Sequence, residues 1–461
     1  MAHRNKSSRL EKVRCQLHQA EGLPCSELLS AEMLTPLLRQ LGVEFRDRIF
    51  TPIVTLWTFL SQVLSPDHSC RDAVARVLAW RTAHGRKPCS PDSSSYCEAR
   101  GRLPLELVRT LLRQIGRRLD RAVPVDWLWN GRRVKVVDGT TVTMPDTPEN
   151  RAAFPPQRNQ AHGVSFPIAR LVVIFSLACG AALELVLGPT RGKKTGENTL
   201  FRSMLDTLEP GDVLLGDRLF DSYRDIATLR GRAVDVLFRM NGSRCCDFRR
   251  GRRLGPNDHR VVWNKPQFDA TRFDRATYDA LPPEMEMREL RFTVRQRGFR
   301  PRRVVLVTTL LDPEAYPAEE LAELYRERWH CELDLNALKT TLQMDQLRCR
   351  TPEMVEKEVW VHLLAYNLLR EVMAEAAQAH EALPRRLSFK GALQTVNAFV
   401  PYLNLAPERR SELRAELLRA IASHEVGNRP NRVEPRKLKY RHGKYTFMTK
   451  PRDQERKQLR A

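Results

Sequence analysis

The stretch from Leu171 to Gly188 is the longest apolar run in the chain, and it is broken by Gly180 and carries Glu184. A membrane helix needs about 20 uninterrupted apolar residues, so this run is too short and too broken for one. It fits two buried strands instead, Ile168 to Cys179 and Ala181 to Leu187, joined at Gly180. Val134, Val136 and Val137 leading into Asp138-Gly139 read as an earlier strand entering a turn, with Thr140 to Met144 returning. Downstream, Glu197 to Leu208 reads as helix, Val213 to Leu215 as a short buried strand, Ser222 to Leu229 as helix and Val234 to Arg239 as strand. Strands followed by alternating helices and strands predict an α/β layer architecture, a mixed sheet covered by helices.

The flanks read differently. Phe50 to Leu64 and His68 to Trp80 are predicted helices, followed by two short ones dotted with Arg100, Arg102, Arg109, Arg113, Arg117 and Arg118. Those arginines suit a helical DNA-binding module or, equally, a solvated basic face. The Arg-rich segment from 242 to about 304 breaks the rhythm and reads as a β-rich insertion. From Pro317 a long helix is predicted to about Leu342, with further helices from Met354 onward. The expected organisation is an N-terminal helical domain over 1–125, assigned to DNA binding, and a catalytic core over 126–345 interrupted by the insertion. A helical region over 346–428 and a basic tail over 429–461 complete it.

Composition narrows the partner. The formal net charge is +22 over 461 residues, which points to a polyanion, nucleic acid ahead of an acidic membrane surface. The tail from Arg429 holds twelve Lys and Arg against Glu434, Asp453 and Glu455, with Tyr440, Tyr445 and Phe447 interleaved. It suits a segment lying along DNA, or a disordered basic tail. No secretory leader pattern is visible, and the ten cysteines make no C-x-x-C pair. Reduced thiols in the cytoplasm and no structural zinc are therefore expected.

The most informative spacing is Tyr325, Arg328, Glu332 and Lys339. At 100° per residue these fall within an arc of about 60° on an ideal helix. A phenol, a guanidinium, a carboxylate and an ammonium on one stripe suit a phosphodiester site; a solvated face with an Arg-to-Glu pair is the other reading. Asp138 and Asp217, each at the end of a predicted strand, would add two carboxylates and complete an oxygen-only site for divalent ions. Asp138 could instead serve only the turn, and Asp217 only as a helix cap.

On these residues the chain resembles the DDE transposases of bacterial insertion sequences, in the insertion-sequence-4-like group with the Tyr-Arg-Glu-Lys signature. Val136-Val137-Asp138-Gly139-Thr140-Thr141 is similar to the family's first aspartate motif, and Gly216 to Tyr223 to its second. Leu364 to Arg370 and Asn431 to Arg436 are further matches, so the resemblance runs from about residue 50 to 455. It implies an RNase H-like mixed sheet flanked by helices, with a β-rich insertion before the catalytic helix. Asp138, Asp217 and Glu332 would be the catalytic, metal-binding acids, and Tyr325, Arg328, Lys339 and Arg239 the DNA contacts. The implied cofactor is Mg²⁺, with Mn²⁺ able to substitute. The implied activity is cleavage at the element's ends and strand transfer into target DNA. The implied partners are double-stranded DNA (terminal inverted repeats and target) and a second copy in a synaptic complex, within the bacterial cytoplasm at the nucleoid. An RNase H-like resolvase and a domesticated, non-catalytic DNA-binding protein are the alternatives. Relatives place a base-stacking Trp in the insertion; here Trp263 is the insertion's one Trp.

Overall fold

The structure is a computed structural model that describes residues 29, 31–43, 48–156, 164–193, 195–270, 274–294, 302–427 and 450–460. The readings on Arg429 to Thr449, including the tail aromatics and the Asn431 to Arg436 match, lie outside the described residues. The chain divides into two compact units, one formed by Met1–Ala122 with Asn336–Val426 and the other by Val123–Leu335 with Gly427–Ala461.

The first unit is helical. Pro52–Leu64 starts as its sequence dictates, with Thr51 capping the Val54 N–H and Pro52 in the first turn, and its side chains are almost all buried. The Pro352–Ala379 helix is buried along most of its length, and the Leu364 to Arg370 match lies inside it, with Tyr366 and Asn367 fully buried. That motif is packing for this unit. Of the six N-terminal arginines, several are likewise used internally. Arg100 lies 4.9 Å from the Phe59 ring centroid. Arg109 pairs with Glu356 and, like Arg113, covers the Trp360 ring. Arg118 pairs with Glu371. Arg102 and Arg117 are exposed. Guanidinium groups that cover aromatic faces and meet carboxylates inside one unit are spent on its packing.

The second unit is built on a nine-stranded mixed sheet, in the order β3-β2-β1-β4-β5-β9-β8-β7-β6. Its strands are β1 (Val134–Thr143), β2 (Ile168–Ser176), β3 (Ala182–Pro189), β4 (Val213–Gly216), β5 (Asp235–Arg239), β6 (Arg252–Gly255), β7 (Asp258–Asn264), β8 (Glu284–Val294) and β9 (Arg302–Thr308). β1, β4 and β5 are parallel neighbours, and the remaining pairs are antiparallel. Helices flank the sheet. On one face Val137, Ile174, Leu214, Val236 and Phe238 meet Phe201, Phe220, Ile226 and Leu229 in a buried cluster. Because side chains alternate along a strand, Val136, Asp138, Leu215 and Asp217 belong to the other face.

Two sequence expectations are corrected. β1 does not turn at Asp138-Gly139; it runs on as one strand, paired with β2 from Lys135 to Thr143. The glycine is there for a close approach, since a Cβ at Gly139 would lie 2.7 Å from the Glu197 Cδ. The helix expected from Pro317 to Leu342 is interrupted. Ala318–Glu327 and Trp329–Asn336 meet at Arg328, where Arg328 N–H donates to the Tyr325 carbonyl and Cys331 N–H to the Arg328 carbonyl. These three-residue bonds tighten the turn, and a π-helical segment, Ala337–Thr341, follows. The ideal 3.6-residue period behind the predicted stripe therefore does not hold across it. The segment from 242 onward carries β6 to β9, and its strands extend the same sheet: β9 pairs with β5, and Trp263, Met285, Met287 and Val307 join the buried cluster.

Candidate active site

The positions of two acids follow from strand register. β1 and β4 pair as Lys135 with Leu214 and Val136 with Leu215; carried two places further, that register sets Asp138 opposite Asp217. β4 and β5 pair as Leu215 with Leu237 and Gly216 with Phe238, so one place further sets Asp217 opposite Arg239. Asp138 lies within the longer β1, and the Asp217 charge acts on it; Asp217 directly follows β4 and Arg239 ends β5, at the carboxyl ends of parallel strands about 4.8 Å apart. Open α/β sheets bind their ligands there. The Ala318–Glu327 helix packs near β5 and delivers Tyr325; Arg328 follows it at the break, and Glu332 comes from the next helix, Trp329–Asn336.

Arg328 ties the acids together. Its Nη1 donates to Asp138 Oδ2 at 3.1 Å and its Nη2 to Glu332 Oε1 at 2.8 Å. Asp138 Oδ1 accepts from Gly139 N–H at 2.8 Å, and Asp217 Oδ1 from Leu219 N–H at 2.7 Å. Asp217 does not cap the next helix; Ser222 does, accepting from Asp225 N–H. With β1 continuous, Asp138 is not accounted for by a hairpin turn; Asp217 leaves the helix cap to Ser222 but does brace the turn after β4 through its bond to Leu219.

The electrostatics are those of acids crowded in a partly dry site. Burial pushes the Asp138 carboxyl up to about 6; Gly139 N–H and Arg328 oppose this, while the charges of Asp217 and Glu332 add to it. Burial also pushes the Tyr325 phenol up to about 12, against the pull of Arg328 and Arg239. Burial weakens the Arg328 charge, but Tyr325, Asp138 and Glu332 outweigh it and hold the guanidinium above its ordinary value.

Glu197 escaped sequence reasoning. It pairs with Arg170 at 3.3 Å, and burial raises its carboxyl, with Asp217 adding to the rise. A fourth acid therefore borders the site. The signal was Gly139, whose missing side chain makes room for it. Arg239 is exposed and close enough to act on Tyr325. Lys339 lies on the π-helical segment, in the first unit. Trp263 is 6% exposed, with its indole N–H donated to Glu289, so it presents no open ring for a base to stack on.

Three carboxylates, one within β1, one just past β4 and one on the following helix, offer the oxygen donors a hard divalent cation takes. Among the described residues, the group of three His, Cys, Asp or Glu ligand atoms mutually within 4.8 Å is Cys246, His259 and Glu289. The carboxylate set, with Arg328 between two of its members, is laid out more widely than one closed shell.

Comparison with known proteins fits this chemistry. The transposase DDE domain family matches residues 129–368. The chain is 28% identical over 427 residues to transposase InsG for insertion sequence element IS4 of Escherichia coli (strain K12), which spans 91% of this chain and 92% of that protein. It is 38% identical over 69 residues to the putative transposase InsL for insertion sequence element IS186A of the same organism, 15% of this chain and 19% of that one. Among solved structures, a cryo-EM structure of the piggyBac transposase synaptic complex with hairpin DNA matches with a TM-score of 0.44 and 10% identity, over 87% and 84% of the two chains. With the family domain covering more than half of its length and a full-length relative beside it, the chain belongs to the DDE transposases, in the IS4 family, and is a DNA transposase.

Proposed function

We propose that this transposase cuts DNA at the ends of an insertion sequence and joins the freed ends to target DNA, with Asp138, Asp217 and Glu332 as its divalent-ion ligands. The observation that carries this reading is that Asp138 on β1 feels the charges of both Asp217, which directly follows β4, and Glu332, which is linked to it through Arg328. The parallel trio β1, β4 and β5, with antiparallel β2 and β3 beyond β1, is read as an RNase H-like core. Mg²⁺ is the proposed ion, and Mn²⁺ would substitute; once bound, a pair of such ions activates the attacking oxygen and stabilises the leaving one.

The chain's own groups do the rest. Arg328 holds Asp138 and Glu332 in place before cations arrive and turns to the scissile phosphate afterwards, where a planar guanidinium grips two oxygens. Tyr325, kept un-ionised by its burial, donates its hydroxyl to the DNA backbone. Arg239 and, by the family signature, Lys339 supply positive charge to the DNA. The +22 charge recruits the duplex without reading its sequence. The DNA partners are terminal inverted repeats and target duplex at the bacterial nucleoid, and two copies of the chain hold the two ends together. No described helix is long and apolar enough to cross a membrane.

The test is a nicking assay with Mg²⁺ or Mn²⁺ on DNA bearing the inverted repeats that flank the gene. Wild-type protein releases a 3′-hydroxyl at the repeat end, and Glu332→Gln binds the same DNA without cutting it. A Glu332→Gln protein that cuts as fast as wild type removes Glu332 from the site.

A further inference from the structure

We infer that the second unit holds a separate site for a zinc-type cation, made by Cys246, His259 and Glu289. It lies at the edge of the sheet's buried face and owes nothing to the carboxylate site. His259 on β7 and Glu289 on β8 stand directly opposite one another, on the face where their neighbours Val261, Trp263, Met285 and Met287 are apolar. The segment after β5 brings Cys246 to the same point. Cys246 Sγ lies 2.7 Å and His259 Nε2 3.0 Å from Glu289 Oε2, with 4.0 Å between sulfur and nitrogen. His259 is 1% exposed and Glu289 3%, while Cys246 is half-buried and opens the group to solvent on one side.

The surroundings are those of ligands held in aim. His259 Nδ1 faces the Arg250 carbonyl at 2.8 Å, so that nitrogen carries the proton and Nε2 points at Glu289. An outer carbonyl fixing the tautomer of an imidazole in this way is the usual support of a metal-bound histidine. Glu289 uses its other oxygen to accept the Trp263 indole N–H at 2.8 Å. Phe248 stacks on the imidazole at 4.3 Å. Without a cation, Nε2 meets the carboxylate either as two acceptors face to face or as a buried imidazolium–carboxylate pair, and both are costly. A cation resolves this: Cys246 binds as thiolate, its proton passing to solvent, and Nε2 and the Glu289 oxygen supply their lone pairs.

One sulfur, one nitrogen and one oxygen suit a borderline-soft ion and not Mg²⁺, so zinc is the chemistry of choice, with the exposed side left for water or Cys245. Zinc would move the Glu289 oxygen back slightly, since tetrahedral ligands stand about 3.3–3.8 Å apart. Its role would be to pin the 240–251 segment to β7 and β8.

The full-length protein, produced with zinc and purified without chelator, is assayed for bound metal and titrated with Co²⁺. The expected result is one zinc per chain and a thiolate-to-cobalt charge-transfer band. Both are retained in Glu332→Gln and Cys245→Ser, and at least fivefold weaker in Cys246→Ser and His259→Gln. The Glu332→Gln arm separates this site from the carboxylate site. Wild-type protein with neither zinc nor the band overturns the inference, whether or not the variants fold, as does a Cys246→Ser protein that keeps both.

Discussion

Two groups of ionisable side chains lie on one sheet, and they are built in opposite ways. Asp138 within β1, Asp217 just past β4 and Glu332 on the following helix carry like charges, and one guanidinium bridges Asp138 and Glu332. His259 and Glu289 are cross-strand partners inside the sheet, wrapped by Phe248 and Trp263. In the first group charge repulsion is stored, and the Asp138 carboxyl, already raised by burial, reaches about 6. In the second, Glu289 accepts from the Cys246 thiol and the Trp263 indole, and Phe248 stacks on the imidazole. Crowded like charges mark the group expected to act on DNA, and cross-strand packing the group expected to hold the fold.

The contrast can be broken most directly at Glu332. Glu332→Gln should lower the rate of end cleavage on the order of 10³-fold or more, with stability unchanged within about 1 kcal/mol. Single-turnover nicking and thermal melts on the same preparation measure both halves. Next in size is Arg328→Ala, which leaves Asp138 and Glu332 facing each other. It should destabilise the metal-free protein by about 2–4 kcal/mol, with much of that recovered on adding Mg²⁺. A melting temperature indifferent to both changes would show that Arg328 does not hold the acids.

Asp138→Asn sharpens the comparison from the other side. The folded carboxyl titrates near 6 against an ordinary 3.8, so the folded chain binds the extra proton. Below pH 3.8 both states are protonated and Asp138 costs nothing. The penalty builds between 3.8 and 6 and is complete above. Asp138→Asn should therefore stabilise the metal-free protein at pH 7 by about 1–3 kcal/mol, fading as pH falls below about 4, while abolishing cleavage. Denaturant melts at about pH 3.5 and pH 7 read the sign. Smallest is Trp263→Phe, which removes one buried hydrogen bond and should cost about 1–2 kcal/mol. End cleavage should stay within about threefold of wild type; a large kinetic loss would mean that this tryptophan takes part in DNA handling after all.

How much of this was legible beforehand depended on distance along the chain. Asp138 and Asp217 were visible because each follows a short apolar run, a local pattern. The continuity of β1 through Asp138-Gly139 was not, since Asp-Gly carries the strongest hairpin signal and only pairing with β2 overrides it. Arg328, Tyr325 and Glu332 were found by spacing, although the helix assumed for them is broken at Arg328. The N-terminal arginines looked like a DNA surface because their partners, Glu356, Trp360 and Glu371, come more than 240 residues later. Cys246, His259 and Glu289 have no motif spacing, because strand register and not sequence distance brings them together. The usable clue was a histidine and a glutamate interrupting the apolar faces of two neighbouring strands.

The first unit is assembled from the two ends of a long excursion, Met1–Ala122 and Asn336–Val426. As the ribosome delivers the chain, the opening helices must wait for the whole sheet-bearing stretch to be made before Trp360 and its neighbours arrive to cover Arg109 and Arg113. Domains generally fold as units during synthesis, so the sheet unit can close first and the helical one last. A message cut short before codon 336 would yield the acids without the partners of the N-terminal helices, leaving apolar surface for chaperones and proteases.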